Sequence, residues 1–210
     1  MQGREMVDSA LAPLMREHQL LSTLTDSLAC YARRLFETHE ASRERVDLAA
    51  FTQVFSGFAD ELHHEKEEEI LQPILSRHGL HWQDGVLAEV RMEHERERYL
   101  IEVLGQAAEC ELAWTTEDRR SVAATALALV TFQREHMDKE NLELFPEVGR
   151  RLSDTALGEL RSWLERFDRA PRRVAQGAEL LRVADQLVSR YPPARSSAAG
   201  QSLDNALVAR

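Results

Sequence analysis

Two short segments of the sequence repeat one pattern of histidine, lysine and glutamate. Both read His-x-x-Lys-Glu, followed at matching positions by Leu and Pro, and they begin at His63 and His136. Residues four apart on a helix lie one turn above each other, so His63 pairs with Glu67 and His136 with Glu140. Each pair presents an imidazole and a carboxylate to one point. These donors suit iron, manganese or zinc.

Two more histidines stand where a helical pattern expects an apolar core residue. From Val7 to Leu35 the apolar residues recur in steps of three and four, and His18 takes one place in that series. His94 and Glu97 lie on the corresponding stripe of a later segment. Four segments therefore each carry one of the four core histidines, and Glu97 is expected to support the site rather than to bind metal.

Long helical segments joined by short connections predict an all-α fold. Residues 1–150 are predicted to form an up-down-up-down four-helix bundle, whose second and fourth helices close near Pro73 with Gly79 and near Pro146 with Gly149. With a rise of about 1.5 Å per residue, the four histidines fall in one layer within about 8 Å. One or two further helices are predicted over 151–191, and a flexible tail over 192–210.

Two carboxylates in the core of a bundle need a positive partner. An unpaired buried carboxylate is costly and normally shifts its pKa rather than staying charged, and a metal ion removes that cost. Two bridging carboxylates with terminal histidines suit a pair of metal ions better than a single ion. The acidic run that contains Glu68 is predicted to face solvent, as are most of the charged residues around Glu93.

Composition narrows the class of protein. Only 9 Gly and 6 Pro in 210 residues, with 43% hydrophobic and 30% charged residues, favour a helical globular protein. A net charge of -10 argues against nucleic acid or an anionic membrane surface as a partner, and no run approaches the roughly 18 apolar residues of a membrane span. Cys30 and Cys110 are too few for a disulfide framework, and the N-terminus lacks a secretory pattern. We expect a cytoplasmic monomer or homodimer.

These residues resemble the signature of hemerythrin-like, or HHE cation-binding, proteins over roughly residues 8 to 150. The resemblance is carried by a set of single and paired positions: His18, His63-x-x-x-Glu67, His94 and His136-x-x-x-Glu140. It implies two iron ions in an oxo- or hydroxo-bridged centre, with Glu67 and Glu140 as bridges. It also implies that His18 and His63 bind one ion and that His94 and His136 bind the other. Manganese or zinc are the alternative metals.

The chain departs from the oxygen-carrying hemerythrins on its third helix. Those proteins have two histidines four residues apart there, whereas His94 is followed at that spacing by Arg98. His64 is the candidate replacement ligand, because it lies about 100° round the helix from His63. An altered set of ligands changes how iron handles oxygen, so reversible oxygen carriage does not follow from the resemblance.

Three functions are compatible with the sequence. The first is a hemerythrin-like di-iron protein that binds or senses oxygen, or reacts with peroxide or nitric oxide. The second is a ferritin-like di-iron oxidase, whose helices carry Glu-x-x-His motifs, although only Glu61 with His64 has that spacing. The third is an iron-responsive regulatory module, in which metal stabilises the bundle and the C-terminal segments contact a partner.

Overall fold

The computed structural model describes residues 2–37, 43–81, 83 and 85–193. Within these residues the chain forms six helices and no strand, which confirms the all-α prediction. The helices are α1 (Gln2–Glu37), α2 (residues 44–77), α3 (Gly85–Glu109), α4 (residues 116–151), α5 (Asp154–Asp168) and α6 (Pro171–Arg190). Two helices therefore follow the first four, and from residue 194 onwards the predicted tail lies outside the described residues.

The first four helices pack side by side around a shared core. α1 lies along α4, α4 along α3, and α3 along α2. α5 and α6 pack on the outside, where both contact α1 and α2. None of the helices in the described ranges has the length and apolar character needed to cross a membrane.

The apolar core is divided into two clusters. Between them, along each of the first four helices, lie the histidines and glutamates predicted to bind metal, which we call the polar layer. In α1, Leu14 belongs to one cluster and Leu20 to the other, with His18 between them. In α3, Val90 and Ile101 lie on either side of His94 in the same way. The two clusters therefore close the polar layer from both ends.

Helix starts follow the capping chemistry expected from the sequence. Thr115 caps α4 and forms a capping box with Asp118, in which each side chain binds the other residue's backbone N–H. Ser153 caps α5 by accepting from the backbone N–H of Ala156, and Pro171 opens α6.

The predicted ends near Gly79 and near Gly149 are each correct to within about two residues, but Pro73 and Pro146 do not themselves end the helices. Both helices run through their proline, α2 to residue 77 and α4 to residue 151. Pro73 and Pro146 each follow a wider, π-helical turn, and a proline has no N–H to donate to the regular ladder. The wider turn provides room for the ring, so the helix continues. Gly79, with φ of +83°, lies just past the end of α2 as predicted.

Candidate metal centre

The seven residues singled out by the sequence meet in the polar layer between the two apolar clusters. Each of them is at most 4% exposed to solvent. They are His18, His63, His64, Glu67, His94, His136 and Glu140. Their donor atoms form overlapping groups in which all atoms lie within 4.8 Å of one another, which is close enough to surround a metal ion.

The first group joins α1, α2 and α4. The Nε2 atom of His18 lies 3.0 Å from Nε2 of His63 and 3.0 Å from Oε2 of Glu140. Nε2 of His63 is 3.7 Å from Oε1 of Glu67. Ligands bound at about 2.0 to 2.2 Å from one ion, at right angles to each other, are themselves about 3 Å apart. The spacing of this group therefore fits a single ion.

The second group joins α2, α3 and α4. Nε2 of His94 lies 3.3 Å from Oε2 of Glu67, and Nε2 of His136 lies 3.3 Å from Oε1 of Glu140. His64 belongs with these two histidines, and its ring stacks on that of His94 with ring centroids 3.8 Å apart. His94 and His136 thus lie close both to His64 and to the two carboxylates, which places three imidazoles on this side of the layer and two in the first group.

Glu67 and Glu140 belong to both groups. Glu67 directs Oε1 towards His63 and Oε2 towards His94, while Glu140 directs Oε2 towards His18 and Oε1 towards His136. None of the four carboxylate oxygens receives a well-oriented hydrogen bond from the described residues. Buried carboxylates of this kind are costly unless a positive charge compensates them. The donors and their unpaired state both fit metal ions.

Four of the histidines make a second contact through Nδ1, the ring nitrogen that faces away from the centre of the layer. The Nδ1 contacts are His18 with Asn141 at 3.0 Å, His63 with Glu17 at 2.9 Å, His94 with Glu68 at 2.7 Å and His136 with Glu93 at 2.9 Å. An ionised carboxylate and the amide oxygen of Asn141 can only accept, so in each neutral imidazole the proton lies on Nδ1. The Nε2 lone pair is then free to face the centre, as metal-binding histidines require.

Glu68 does not belong to a simply solvated face as predicted, and Glu93 is the exception among its charged neighbours, since Glu95 and Arg96 are exposed. Glu68 and Glu93 are both only part-exposed and bind imidazoles of the polar layer. Glu17 was not singled out as a functional residue, although it plays the same part for His63. A signal was present: Glu17 precedes His18 as Glu93 precedes His94. These side chains reach between neighbouring helices, which the periodicity of one helix cannot show.

Three cations hold the outer carboxylates in place. Lys66 binds Glu17 and also Asp168, the latter at 2.7 Å. Lys139 binds Glu93 and the exposed Glu89. Burial raises the pKa of the Glu17 carboxyl, but the charges of Lys66 and His63 outweigh it and lower that pKa overall.

Arg98 is the third of these cations, at the position where the oxygen carriers have a histidine. It does not enter the polar layer. Its guanidinium donates to Glu68 at 2.8 Å and to Asp60 at 2.7 Å. Arg98 therefore orients the carboxylate behind His94, while the third imidazole of the second group comes from His64 on α2.

A π-helical turn brings His64 into the layer beside its neighbour. Residues Phe55–His64 form this turn, and the backbone N–H of Glu65 bonds the carbonyl of Asp60, five residues earlier. Both His63 and His64 are buried as a result. Such turns within α-helices occur frequently at functional sites. The shorter π-helical turns Glu67–Leu71 and Glu140–Leu144 begin at the two shared carboxylates.

Without metal, protons take the place of cations in the layer. Burial disfavours a charged His18, but the adjacent Glu140 carboxylate raises its pKa to about 9. Burial would raise the pKa of Glu140, yet His136, His18 and His94 hold it well below its usual range. Burial and the neighbouring imidazoles lower the pKa of His64, whereas burial raises that of Glu97 to about 7. Protons and metal ions compete for these donors.

The spacing typical of ferritin-like oxidases does not form a site. Glu61 is exposed, and its carboxylate accepts from Gln176 at 2.6 Å. His64 faces the layer without it. The Glu-x-x-His pair considered from the sequence is therefore not a pair of ligands.

A buried layer of imidazoles and carboxylates across four packed helices defines an all-helical protein with a centre suited to metal ions. The chain belongs to the hemerythrin HHE cation-binding domain family, whose family model matches residues 9–148. This range contains all seven predicted site residues, whereas α5 and α6 lie beyond it. Comparisons with curated proteins and with solved structures found no match.

Proposed function

We propose that this protein is a hemerythrin-like non-haem di-iron protein whose centre binds or senses oxygen, or reacts with nitric oxide or peroxide. The observation that carries the proposal is the position of Glu67 and Glu140. Each directs its two oxygens towards different groups of imidazoles, and neither is neutralised by a hydrogen bond. Carboxylates in that position suit two adjacent ions better than one.

The ligands divide between two ions in this proposal. His18 and His63 would hold the first ion, and His64, His94 and His136 would hold the second. Glu67 and Glu140 would be shared between the two ions. Manganese and zinc have overlapping ligand preferences and are the competing metals. The first four helices form the up-down-up-down bundle in residues 1–150, and residues 151–191 are a helical extension.

The iron pair would supply electron transfer and the binding of a small ligand. The chain supplies orientation and exclusion of water. Apolar clusters close the layer at both ends, and the contacts behind the ring Nδ1 atoms keep the Nε2 lone pairs facing inwards. Nε2 of His18 lies 3.0 Å from the Glu140 carboxylate, which raises the pKa of His18 to about 9, so a metal ion held here would compete with a proton.

The net charge and the cysteines of the chain bear on its partners and its location, and they favour a small molecule over a polymer as partner. A net charge of -10 disfavours nucleic acid and anionic membrane surfaces. Both cysteines are free, which suits the reducing cytoplasm. We keep the expectation of a cytoplasmic monomer or homodimer as part of the proposal.

A second candidate is the iron-responsive regulatory module, and one contact favours it. Asp168, at the end of α5, binds Lys66, which binds the carboxylate behind His63. The helical extension is thereby connected to a proposed ligand through two intervening side chains. If metal binding changes protease sensitivity within α5 and α6 but leaves the protein without small-ligand reactivity, this second function is the better description.

The test is the metal content and the visible absorption spectrum of the purified protein, recorded again after reduction and after re-exposure to air. We expect two iron ions per chain and a charge-transfer band that reduction removes. A spectrum that returns reversibly with oxygen favours oxygen binding over peroxide chemistry. If no iron binds after anaerobic reconstitution while the helices remain folded, the proposal is contradicted.

A further inference from the structure

A third acidic side chain is buried in the polar layer, next to His64. Glu97 lies three residues after His94 on α3 and is 0% exposed. Neither of its carboxylate oxygens has a hydrogen-bond partner in the described part of the chain. Its Oε2 atom is 3.5 Å from Nε2 of His64, which is at the limit of a weak contact. Burial of a carboxylate in this state costs folding free energy.

His64 is likewise buried without hydrogen-bond partners, since neither of its ring nitrogens makes a hydrogen bond to a described residue. Asp60, the carboxylate nearest its Nδ1 atom, is 3.7 Å away and is bound by Arg98 instead. The other four histidines of the layer have a close acceptor behind Nδ1. Two neighbouring polar side chains thus face the second group of donors without partners of their own.

The positions that match Glu97 and His64 in the repeated sequence pattern are apolar. Leu21 lies three residues after His18, as Glu97 lies three residues after His94. Met137 follows His136, as His64 follows His63. Leu21 and Met137 are both buried. Apolar residues therefore fill the matching positions on α1 and α4, and packing alone does not require the polar pair on α2 and α3.

We propose that Glu97 is a third carboxylate ligand, bound to the ion that His64, His94 and His136 hold. The inference rests on the proposed function, because it assigns a residue to the same centre. Glu97 adds an oxygen donor and a negative charge to the half with three imidazoles. Oxygen donors favour iron and manganese over softer ions. The two ions then differ in ligand number and in charge, and the His18 half keeps fewer protein ligands.

The test compares three variants of the full chain by anaerobic titration with iron(II) in competition with a chelator. E97Q keeps the shape of the side chain, and E97L copies the residue found at Leu21. E95Q, an exposed change on the same helix, is the control. Thermal unfolding of each metal-free variant is measured alongside.

We expect both Glu97 variants to bind one ion with the affinity of the parent and the other with an affinity at least about tenfold lower. Loss of a ligand should cost at least as much affinity as loss of a residue that only orients a ligand. Their metal-free forms should be as stable as the parent or more stable, because an unpaired buried carboxylate is removed. Weaker metal binding together with equal or higher stability is a combination that damage to the fold does not produce.

Two results would overturn the inference alone. One is that E97Q and E97L bind both ions as tightly as the parent and E95Q do. The other is that their metal-free forms lose stability and their affinity for both ions falls equally, which would make Glu97 a structural residue. If the parent chain binds no metal, the proposed function fails first and the inference with it.

Discussion

The two halves of the candidate metal centre are built from one pattern of residues but have different surroundings. α1 and α2 contribute Glu17, His18, His63, Lys66 and Glu67. α3 and α4 contribute Glu93, His94, His136, Lys139 and Glu140 in the same order. In each half the glutamate binds the histidine of the next helix, and the lysine binds that glutamate.

The two halves differ in the solvent exposure of their lysine side chain. The Lys66 side chain is 1% exposed, and α5 covers it through Asp168 and the ring of Phe167. The Lys139 side chain is 22% exposed, and its second partner is the exposed Glu89. Ion pairs contribute little at the surface but are costly to break when buried. The same contacts should therefore matter more in the half that the extension covers.

The largest expected effect comes from a carboxylate that both halves share. In E140Q the two ions lose a bridge and a negative charge at once. Metal affinity should fall by more than about 100-fold, which exceeds the loss that changes outside the ligand shell cause. Competition with a chelator measures it, with E143Q on the same π-helical turn as an exposed control. Retention of one ion at full affinity would show that Glu140 serves only one half.

The next largest effects are expected at Glu17 and Glu93, whose carboxylates contact the Nδ1 atoms of His63 and His136. E17Q and E93Q should each weaken the ion in their own half by about 10- to 100-fold. E17Q should also destabilise the metal-free protein by about 1 to 3 kcal/mol, because Lys66 is buried. E93Q should cost less than about 1 kcal/mol. Metal titration and chemical unfolding test both parts, and equal losses of stability would remove the proposed difference between the halves.

A third prediction concerns pH and the metal-free protein. The pKa of His18 is raised to about 9, so its stabilising effect is complete below its unfolded value of about 6.5 and is lost as the pH rises. Raised pKa values of His94 and His136 act in the same direction. Stability should fall by about 1 to 2 kcal/mol between pH 7 and pH 9. Urea unfolding measures it, and a rise in stability over this interval would contradict the prediction.

The smallest expected effect involves the extension. D168N removes one of two partners of buried Lys66, and metal release to a chelator should accelerate by about three- to tenfold, since Lys66 then holds Glu17 less firmly. E89Q makes the matching change at Lys139 and should have little effect, because that pair is exposed. Equal rates for D168N and E89Q would show that α5 has no influence on the centre.

The residues of the polar layer could be predicted because each interrupts a regular apolar stripe. His18 and His94 stand where the three-four pattern of α1 and α3 places a core residue. The two His-x-x-x-Glu pairs have the spacing of one helical turn. Rise per residue then brings all of them to a similar height. Periodicity within single helices was sufficient for this part of the account.

Other features depend on which helices are neighbours, and single-helix patterns do not contain that information. Glu68 and Glu93 lie in acidic runs that resemble a solvated surface, yet each binds an imidazole on an adjacent helix. Wider turns before Pro73 and Pro146 were missed because proline usually ends a helix. The contact between Asp168 and Lys66 joins residues far apart in the chain.

The most direct test of the central claim is the Mössbauer spectrum of the full chain loaded with iron-57, together with its iron content. We predict two iron ions per chain and two quadrupole doublets of equal area, because Glu67 and Glu140 are shared while the imidazoles around the two ions differ in number. A single iron per chain with the signal of an isolated ion would contradict a centre built on shared carboxylates. A single doublet from two identical ions would contradict the difference between the halves.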